Sequence, residues 1–144
     1  MKVVIGCDHG GVELKEYLKA HLQDNIEIID VGTDTKKSVD YPDFAFKVGT
    51  LVSLGRADFG ILICRTGVGM SIAANKITNI RAALCHCEKY AELARCHNDA
   101  NVLCLGADFT EPSEAVRIAR KFLSTEFLGG RHFRRVKKII SREG

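Results

Sequence analysis

The chain has 144 residues, of which 46% are hydrophobic and 27% are charged. A chain of this length buries about 70% of its unfolded surface when it folds as one domain, so it needs neither disulfides nor metal to form a core. The formal net charge of +3 is too small to indicate nucleic-acid binding. We therefore predict a single domain over residues 1–144, with a small molecule as its ligand and no nucleic-acid partner.

The first residues, MKVVIGCDHG, enter a strand-like segment without the apolar core and cleavage site of a signal peptide. No apolar run approaches membrane-spanning length, so we expect a cytoplasmic protein with no membrane partner. Six cysteines in that compartment are expected to be reduced. Cys85, His86 and Cys87, followed by Cys96 and His97, suggest zinc. Their Cys-x-Cys spacing differs from the Cys-x2-Cys knuckle of structural zinc sites, so we expect no metal.

Five apolar segments rich in β-branched residues recur along the chain, and each precedes a helix-like segment. They cover residues 3–5, 26–31, 59–64, 81–85 and 102–105. This alternation is typical of a parallel sheet with crossover helices. A basic amphipathic helix is predicted over residues 132–141. The predicted fold is a single doubly wound (Rossmann-like) α/β domain with about five parallel strands and helices on both faces.

Ligands of such sheets bind in the loops at the carboxyl ends of the strands, here residues 6–11, 32–42, 64–71 and 106–108. The loop 64–71 is the most informative, because Gly67 and Gly69 let backbone amides approach a negative charge. A short helix is predicted over residues 71–76, with its positive end toward this loop. The segment matches neither the dinucleotide fingerprint nor the ATPase phosphate loop. A tight strand-to-helix turn without a ligand is the alternative interpretation.

Several side chains at these loops can carry chemistry. Cys64 ends an apolar strand and opens the amide-rich loop, an environment that stabilises a thiolate, although an inert buried cysteine is the alternative. Asp8 and His9 leave the first strand between glycines, where the alternative is a capping aspartate beside a surface histidine. His97 supplies an imidazole that can titrate near neutral pH.

Arg131 and Arg135 share one face of the predicted C-terminal helix at spacing i and i+4. Two guanidinium groups on one face can clamp a phosphate, and a solvated basic face is the alternative. A thiol, two histidines, an aspartate and paired arginines suit proton transfer next to a carbonyl in a phosphorylated substrate. A thiol hydrolase triad of Cys64, His97 and Asp8 or Asp99 is the alternative chemistry.

The segments GCDHGG, DVGTD with DYPDFA, ILICxTGVGMSIAANK, IRAAL, HNDANVLCLG and FLGGRHFRRV occur in this order. Together they resemble the ribose-5-phosphate isomerase B and galactose-6-phosphate isomerase family over essentially the whole chain, with HNDANVL and GGRH closer to the ribose branch. The resemblance implies a sugar phosphate substrate and no metal or cofactor. It also implies a homodimer, or a dimer of dimers, with active sites built from both subunits.

The resemblance also implies residue roles. Cys64 is the base that moves a proton between C2 and C1 through a cis-enediolate, with Thr66 near the substrate oxygens. His97 and Asp8 assist ring opening. The amides of Gly67 to Gly69 hold the developing oxyanion. The implied substrate contacts are His9, Tyr41, Gly67, Val68, Gly69, Asn98, Arg131 and Arg135.

Two positions depart from the family pattern. Arg65 replaces the usual first glycine of Cys-Gly-Thr-Gly, and Asp108 stands where ribose enzymes commonly place a phosphate-binding arginine. Arg65 is therefore a candidate substitute cation, and an arginine paired with an acidic neighbour in solvent is the alternative. Met70 occupies the position of the glutamate base of another branch, which favours Cys64. The substrate stays open between ribose 5-phosphate and a 6-phosphate hexose such as allose or galactose, as does a non-catalytic phosphometabolite-binding module.

Overall fold

The computed structural model describes residues 1–22 and 25–143. Its strands are β1 (Lys2–Cys7), β2 (Glu27–Asp30), β3 (Phe59–Cys64), β4 (Ala82–Leu84) and β5 (Val102–Gly106). Its helices are α1 (Val12–His21), α2 (Tyr41–Ser53), α3 (Val68–Ala74), α4 (Glu88–Asn98), α5 (Pro112–Ser124) and α6 (Arg131–Ile140). All pairings are parallel, and the strand order is β2-β1-β3-β5-β4. The predicted α/β architecture is confirmed.

Helices cover both faces of the sheet because alternate residues of the central strands are apolar on both sides. In β3, Ile61 and Ile63 pack in the core formed with α1, α4 and α5, whereas Leu62 and Cys64 pack in the core formed with α2 and α3. Full burial of one such aliphatic side chain contributes about 1.5–3 kcal/mol. These two layers fix the direction of every central strand and hence the position of its last residue.

The chain direction across the sheet reverses between β1 and β3, which are hydrogen-bonded neighbours. At such a point the loops from the two strands diverge and leave a crevice at the carboxyl edge. Cys7 of β1 pairs with Ile63 of β3, and Cys64 pairs with Gly106 of β5. The loops after β1, β3 and β5 therefore lie side by side, as the sequence predicts.

The helix after β3 begins earlier than the sequence predicts. We expected residues 71–76, but α3 spans Val68–Ala74 because Gly67 takes a left-handed conformation, with φ of 77°, and ends the turn. Glycine adopts this conformation without the steric cost that other residues meet. The predicted basic helix is confirmed as α6, of which Val136 is buried against the fold. Among residues 1–22 and 25–143, every helix is too short or too polar to span a bilayer.

Candidate active site

The turn after β3 brings a backbone amide onto the thiol at the strand's end. The Gly67 N–H donates to Cys64 Sγ at 3.1 Å, and the Cys64 side chain is almost fully buried. The next amide, that of Val68, donates to Thr66 Oγ1 at 3.2 Å. Hydrogen bonds of this kind stabilise a thiolate. Two of the three amides that the resemblance assigns to the oxyanion, those of Gly67 and Val68, thus have acceptors within the turn.

Asp8 and His9 follow β1 directly beside this turn. The Asp8 N–H donates to the Ile63 carbonyl at 3.2 Å, which sets Asp8 next to the end of β3. Its carboxylate is buried, and Oδ1 accepts the Gly10 N–H at 2.9 Å. Asp8 does not cap α1, because that helix begins at Val12 and has Gly11 at its N-cap position. His9 is also held in place, since its Nδ1 accepts the Val39 N–H at 3.2 Å.

Tyr41 closes the crevice from the α2 side. It is the first residue of α2, and its ring lies so close to Gly69 that a Cβ there would be 2.6 Å from the ring carbons. Tyr41 is 40% exposed. Met70, by contrast, is fully buried in the core under α3. Tyr41 and the Gly67–Gly69 turn therefore share one wall with Cys64.

Arg65 forms an ion pair with Asp108 beside a cavity that Cys64 and Tyr41 do not line. The Arg65 chain crosses Gly10, where a Cβ would lie 2.6 Å from Arg65 Cγ, and Nη1 is 3.5 Å from Asp108 Oδ1. The Asp108 N–H also donates to the Arg65 carbonyl at 3.0 Å, so the loops after β3 and β5 are joined. Together with His9 and Lys36, the pair lines a cavity of about 410 Å³. Arg65 is thus 60% exposed and paired with an acidic neighbour, which is the alternative interpretation of the sequence, and this pair places its guanidinium beside residue 108.

His97 and Asn98 lie at the opposite edge of the sheet. They are in the last turn of α4, which returns from the carboxyl edge to the amino edge. Arg81, just before β4, donates from Nε to the carbonyls of Asn98 and Asp99 at 3.1 and 3.0 Å. Because each strand residue advances about 3.3 Å, this edge is roughly 15 Å from Cys64 along the strands. Within one protomer, His97 and Cys64 are therefore too far apart to form the hydrogen-bonded pair that a hydrolase triad requires.

The two arginines of the predicted phosphate clamp are found beside His97. The His97 ring stacks on His132 of α6, with centroids 4.2 Å apart and an interplanar angle of 11°. Arg131 and Arg135 are exposed on either side of His132 along α6. Burial, and then the charges of His97, Arg131 and Arg135, lower the pKa of His132. This positively charged cluster favours an anion, and it lies far from the Cys64 of its own protomer.

Arg95 and Lys15 are charged residues that the sequence analysis did not single out. Arg95 is buried and donates from Nη1 to Asp99 Oδ1 at 2.9 Å and from Nε to the Thr125 carbonyl at 3.1 Å, so it fixes the turn after His97. Lys15 is 1% exposed beneath the loop that follows β2. A signal existed for Lys15, which is spaced i, i+3 and i+7 with the buried Leu18 and Leu22.

Three other cysteines are ordinary core residues. Burial raises the pKa of Cys7 to about 11 and that of Cys85 to about 12, and it raises the pKa of Cys104 still further. These thiols therefore stay protonated at neutral pH. Within residues 1–22 and 25–143, no three His, Cys, Asp or Glu side chains are grouped as metal ligands.

Comparison with known proteins identifies the family to which this site belongs. The family model described as "Ribose/Galactose Isomerase" matches residues 3–139. This chain belongs to the ribose/galactose isomerase family. The match extends from β1 to α6, so it includes both the Cys64 turn and the basic helix.

Individual members of the ribose/galactose isomerase family are similar over their full lengths. Ribose-5-phosphate isomerase B of Escherichia coli (strain K12) is 45% identical over 143 residues, which are 99% of this chain and 96% of that protein. The solved structure of ribose-5-phosphate isomerase B from Clostridium thermocellum has 48% identity and a TM-score of 0.96, covering 98% of this chain and 96% of that one. The enzyme of Thermotoga maritima has 50% identity and a TM-score of 0.95, with 97% of each chain covered.

Proposed function

We propose that this isomerase interconverts an aldose phosphate and a ketose phosphate, with ribose 5-phosphate and ribulose 5-phosphate as its first candidate pair. The observation that carries the proposal is the hydrogen bond from the Gly67 amide to Cys64 Sγ, at 3.1 Å, at the carboxyl edge of a ribose/galactose isomerase fold. A thiol in this position, with a backbone amide directed at its sulfur, can exchange a proton with a substrate bound against the turn. No step requires a cofactor.

In the proposed reaction, the Cys64 thiolate removes the C2 proton of the open-chain aldose, and the electron pair of the C–H bond forms a cis-enediolate. The resulting thiol then returns the proton to C1, the O2 hydroxyl gives its proton to O1, and the C2–O bond becomes the carbonyl of the ketose. Negative charge develops on the carbonyl oxygen during the first step, and fixed amide donors stabilise it without reorganising. Gly69 supplies one such amide while the Gly67 amide stays on the sulfur, and the Val68 amide supplies a second when it exchanges its bond to Thr66 Oγ1 for one to the substrate oxygen.

We further propose that the active site is completed by a second copy of the chain in a homodimer. Asp8 and Cys64 lie at the carboxyl edge of the sheet, whereas His97 and Asn98 lie at the amino edge. His97 of the partner subunit would then act with Asp8 in ring opening, and Asn98 of the partner subunit would contact the sugar. Arg131 and Arg135 of the partner subunit would bind the phosphate.

His9, Tyr41 and Arg65 complete the proposed binding set from the protomer that supplies Cys64. His9 and Arg65 line the same cavity, and Tyr41 faces the Gly69 turn. The Arg65 guanidinium replaces the cation that the family commonly has at position 108, and Asp108 holds it there at 3.5 Å. Because this exchange alters the rim of the pocket, a 6-phosphate hexose such as allose 6-phosphate or galactose 6-phosphate is the second candidate substrate.

A coupled assay across ribose 5-phosphate, allose 6-phosphate and galactose 6-phosphate tests the proposal. Turnover of at least one is expected, with ribose 5-phosphate giving the highest kcat/KM. Binding of all three without turnover would contradict the isomerase assignment and indicate a phosphometabolite-binding module.

Mixed dimers test the shared site independently. Cys64→Ala and Arg135→Ala subunits are each expected to be inactive as homodimers. When combined, they should regain partial activity, because one of the two sites in a heterodimer receives both a wild-type Cys64 and a wild-type Arg135. No recovery from heterodimers demonstrated by native mass spectrometry would contradict the shared site.

A further inference from the structure

Lys15 is buried in α1 and has one unusual hydrogen-bond acceptor. Its Nζ donates to the Thr33 carbonyl at 2.9 Å and pairs with Asp30 Oδ2 at 2.9 Å, and only 1% of the residue is exposed. The Cys7 thiol donates to the same carbonyl at 3.4 Å. Burial raises the pKa of Cys7 to about 11, so this donor persists at neutral pH. Two donors thus occupy both lone pairs of one loop carbonyl.

The ion pair with Asp30 does not by itself explain why Lys15 is buried, because other groups also stabilise the Asp30 carboxylate. Asp30 also accepts hydrogen bonds from Lys19 Nζ at 2.8 Å and from the Gly32 N–H at 2.9 Å. Burial acts to raise the pKa of Asp30, but Lys19, Lys15 and the Gly32 amide outweigh it and hold the pKa below its usual value. The contact that distinguishes Lys15 from Lys19 is therefore the one to the Thr33 carbonyl.

Thr33 begins the segment 33–40, which forms most of the connection between β2 and α2 and ends next to His9. At its far end, the Val39 N–H donates to His9 Nδ1 at 3.2 Å. A ring nitrogen that accepts a hydrogen bond carries no proton, so the neutral His9 ring has its proton on Nε2. His9 lines the cavity with Arg65 and Asp108. In this tautomer His9 can donate a hydrogen bond from Nε2, but its Nε2 cannot act as a base.

We infer that Lys15 is a positioning residue for the active site. By donating a hydrogen bond to the Thr33 carbonyl, Lys15 fixes the backbone position of segment 33–40. The Val39 amide of that segment then donates to His9 Nδ1 and so selects the Nε2–H tautomer of His9. His9 is thereby a hydrogen-bond donor to an oxygen of the substrate. The part that concerns substrate rests on the proposed function, whereas the control of the His9 tautomer does not.

Nitrogen-15 NMR of the intact protein tests the inference without substrate. Spectra are recorded at about pH 8, above the usual histidine pKa of about 6.5, and a His9→Gln variant identifies the His9 signals. The wild-type protein should show the proton of His9 on Nε2. Lys15→Met should give a mixture of tautomers and about a tenfold loss of kcat/KM, the size expected for one hydrogen bond. Lys19→Met is the matched control and should match the wild type in both measurements.

Three results would overturn the inference. They are a wild-type His9 protonated on Nδ1, an unchanged His9 tautomer in Lys15→Met, and the same tautomer change in Lys19→Met as in Lys15→Met. If Lys15→Met does not fold, Cys7→Ala removes the second donor to the Thr33 carbonyl and should shift the tautomer in the same direction to a smaller extent, and no shift would overturn the inference. A tautomer change in Lys15→Met, in a protein whose wild type has no isomerase activity, would contradict the proposed function while supporting the positioning role.

Discussion

Replacing Arg65 with glycine is expected to raise the KM for a sugar phosphate, with a smaller effect on kcat. Two unit charges 4 Å apart interact by about 4 kcal/mol at an effective dielectric constant of 20. Arg65 is 60% exposed, and solvent at such a side chain reduces its contribution to about 1–2 kcal/mol, or about five- to thirtyfold in KM. Loss of the exposed pair with Asp108 should change the free energy of unfolding by less than about 1 kcal/mol.

The assay is steady-state isomerisation for the wild type, Arg65→Gly and the double variant Arg65→Gly with Asp108→Arg. The double variant should recover most of the affinity, because it returns a guanidinium to the same rim from the neighbouring loop. Arg117→Ala is a matched control, since Arg117 is 54% exposed and pairs with Glu114 outside the cavity. Its KM should equal that of the wild type.

An unchanged KM in Arg65→Gly would refute the reasoning, because the guanidinium would then contribute nothing to substrate binding. A double variant no better than Arg65→Gly would refute it as well, since a cation at position 108 would not replace the one lost. A fall in kcat with KM unchanged would indicate that Arg65 interacts with the substrate only in the transition state, rather than equally in the bound state and the transition state.

Three further predictions concern acid stability, phosphate binding and metal. Because the pKa of Asp30 is lowered in the folded protein, its contribution to stability is present above the unfolded pKa of about 3.9 and is lost as pH falls through the lower folded value. Urea unfolding should therefore show a steeper loss below about pH 4 in the wild type than in Asp30→Asn, and equal slopes would contradict this. Inorganic phosphate should raise the pKa of His132 in NMR titrations by offsetting the positive charges of Arg131 and Arg135, and an unchanged pKa would argue against an anion at α6. Turnover should survive exhaustive chelation, whereas loss on chelation and recovery with a divalent ion would contradict the metal-free mechanism.

The sheet and one half of the candidate site could be predicted from the sequence, because both depend on local patterns. Alternating apolar runs defined the strands, and parallel strands bring their carboxyl ends to one edge, so the approach of Asp8 to Cys64 was predictable. The start of α3 was not, since it depends on the left-handed conformation of Gly67. A glycine-rich turn is compatible with several helix starts until its dihedral angles are known.

The other half of the candidate site required the topology. His97 ends a crossover helix immediately before β5, and such a position lies at the amino edge of a parallel sheet. The composition of the segment around His97 does not predict at which edge of the sheet His97 lies. The order of helices and strands along the chain does predict it. The Arg65–Asp108 pair was only one of two interpretations, because loop side chains can reach in several directions. The role of Lys15 could not be predicted, since its acceptor is a backbone carbonyl 18 residues away.

The most direct test of the central claim is the turnover of Cys64→Ala with ribose 5-phosphate, together with the exchange of the substrate C2 proton with deuterated solvent. General base catalysis contributes about 10²–10⁴-fold, so kcat and the exchange rate should both fall by that factor while phosphate binding and the fold persist. Cys87→Ala, which removes another thiol from the carboxyl edge, should behave as the wild type. Wild-type turnover and exchange in Cys64→Ala would contradict the assignment of Cys64 as the base.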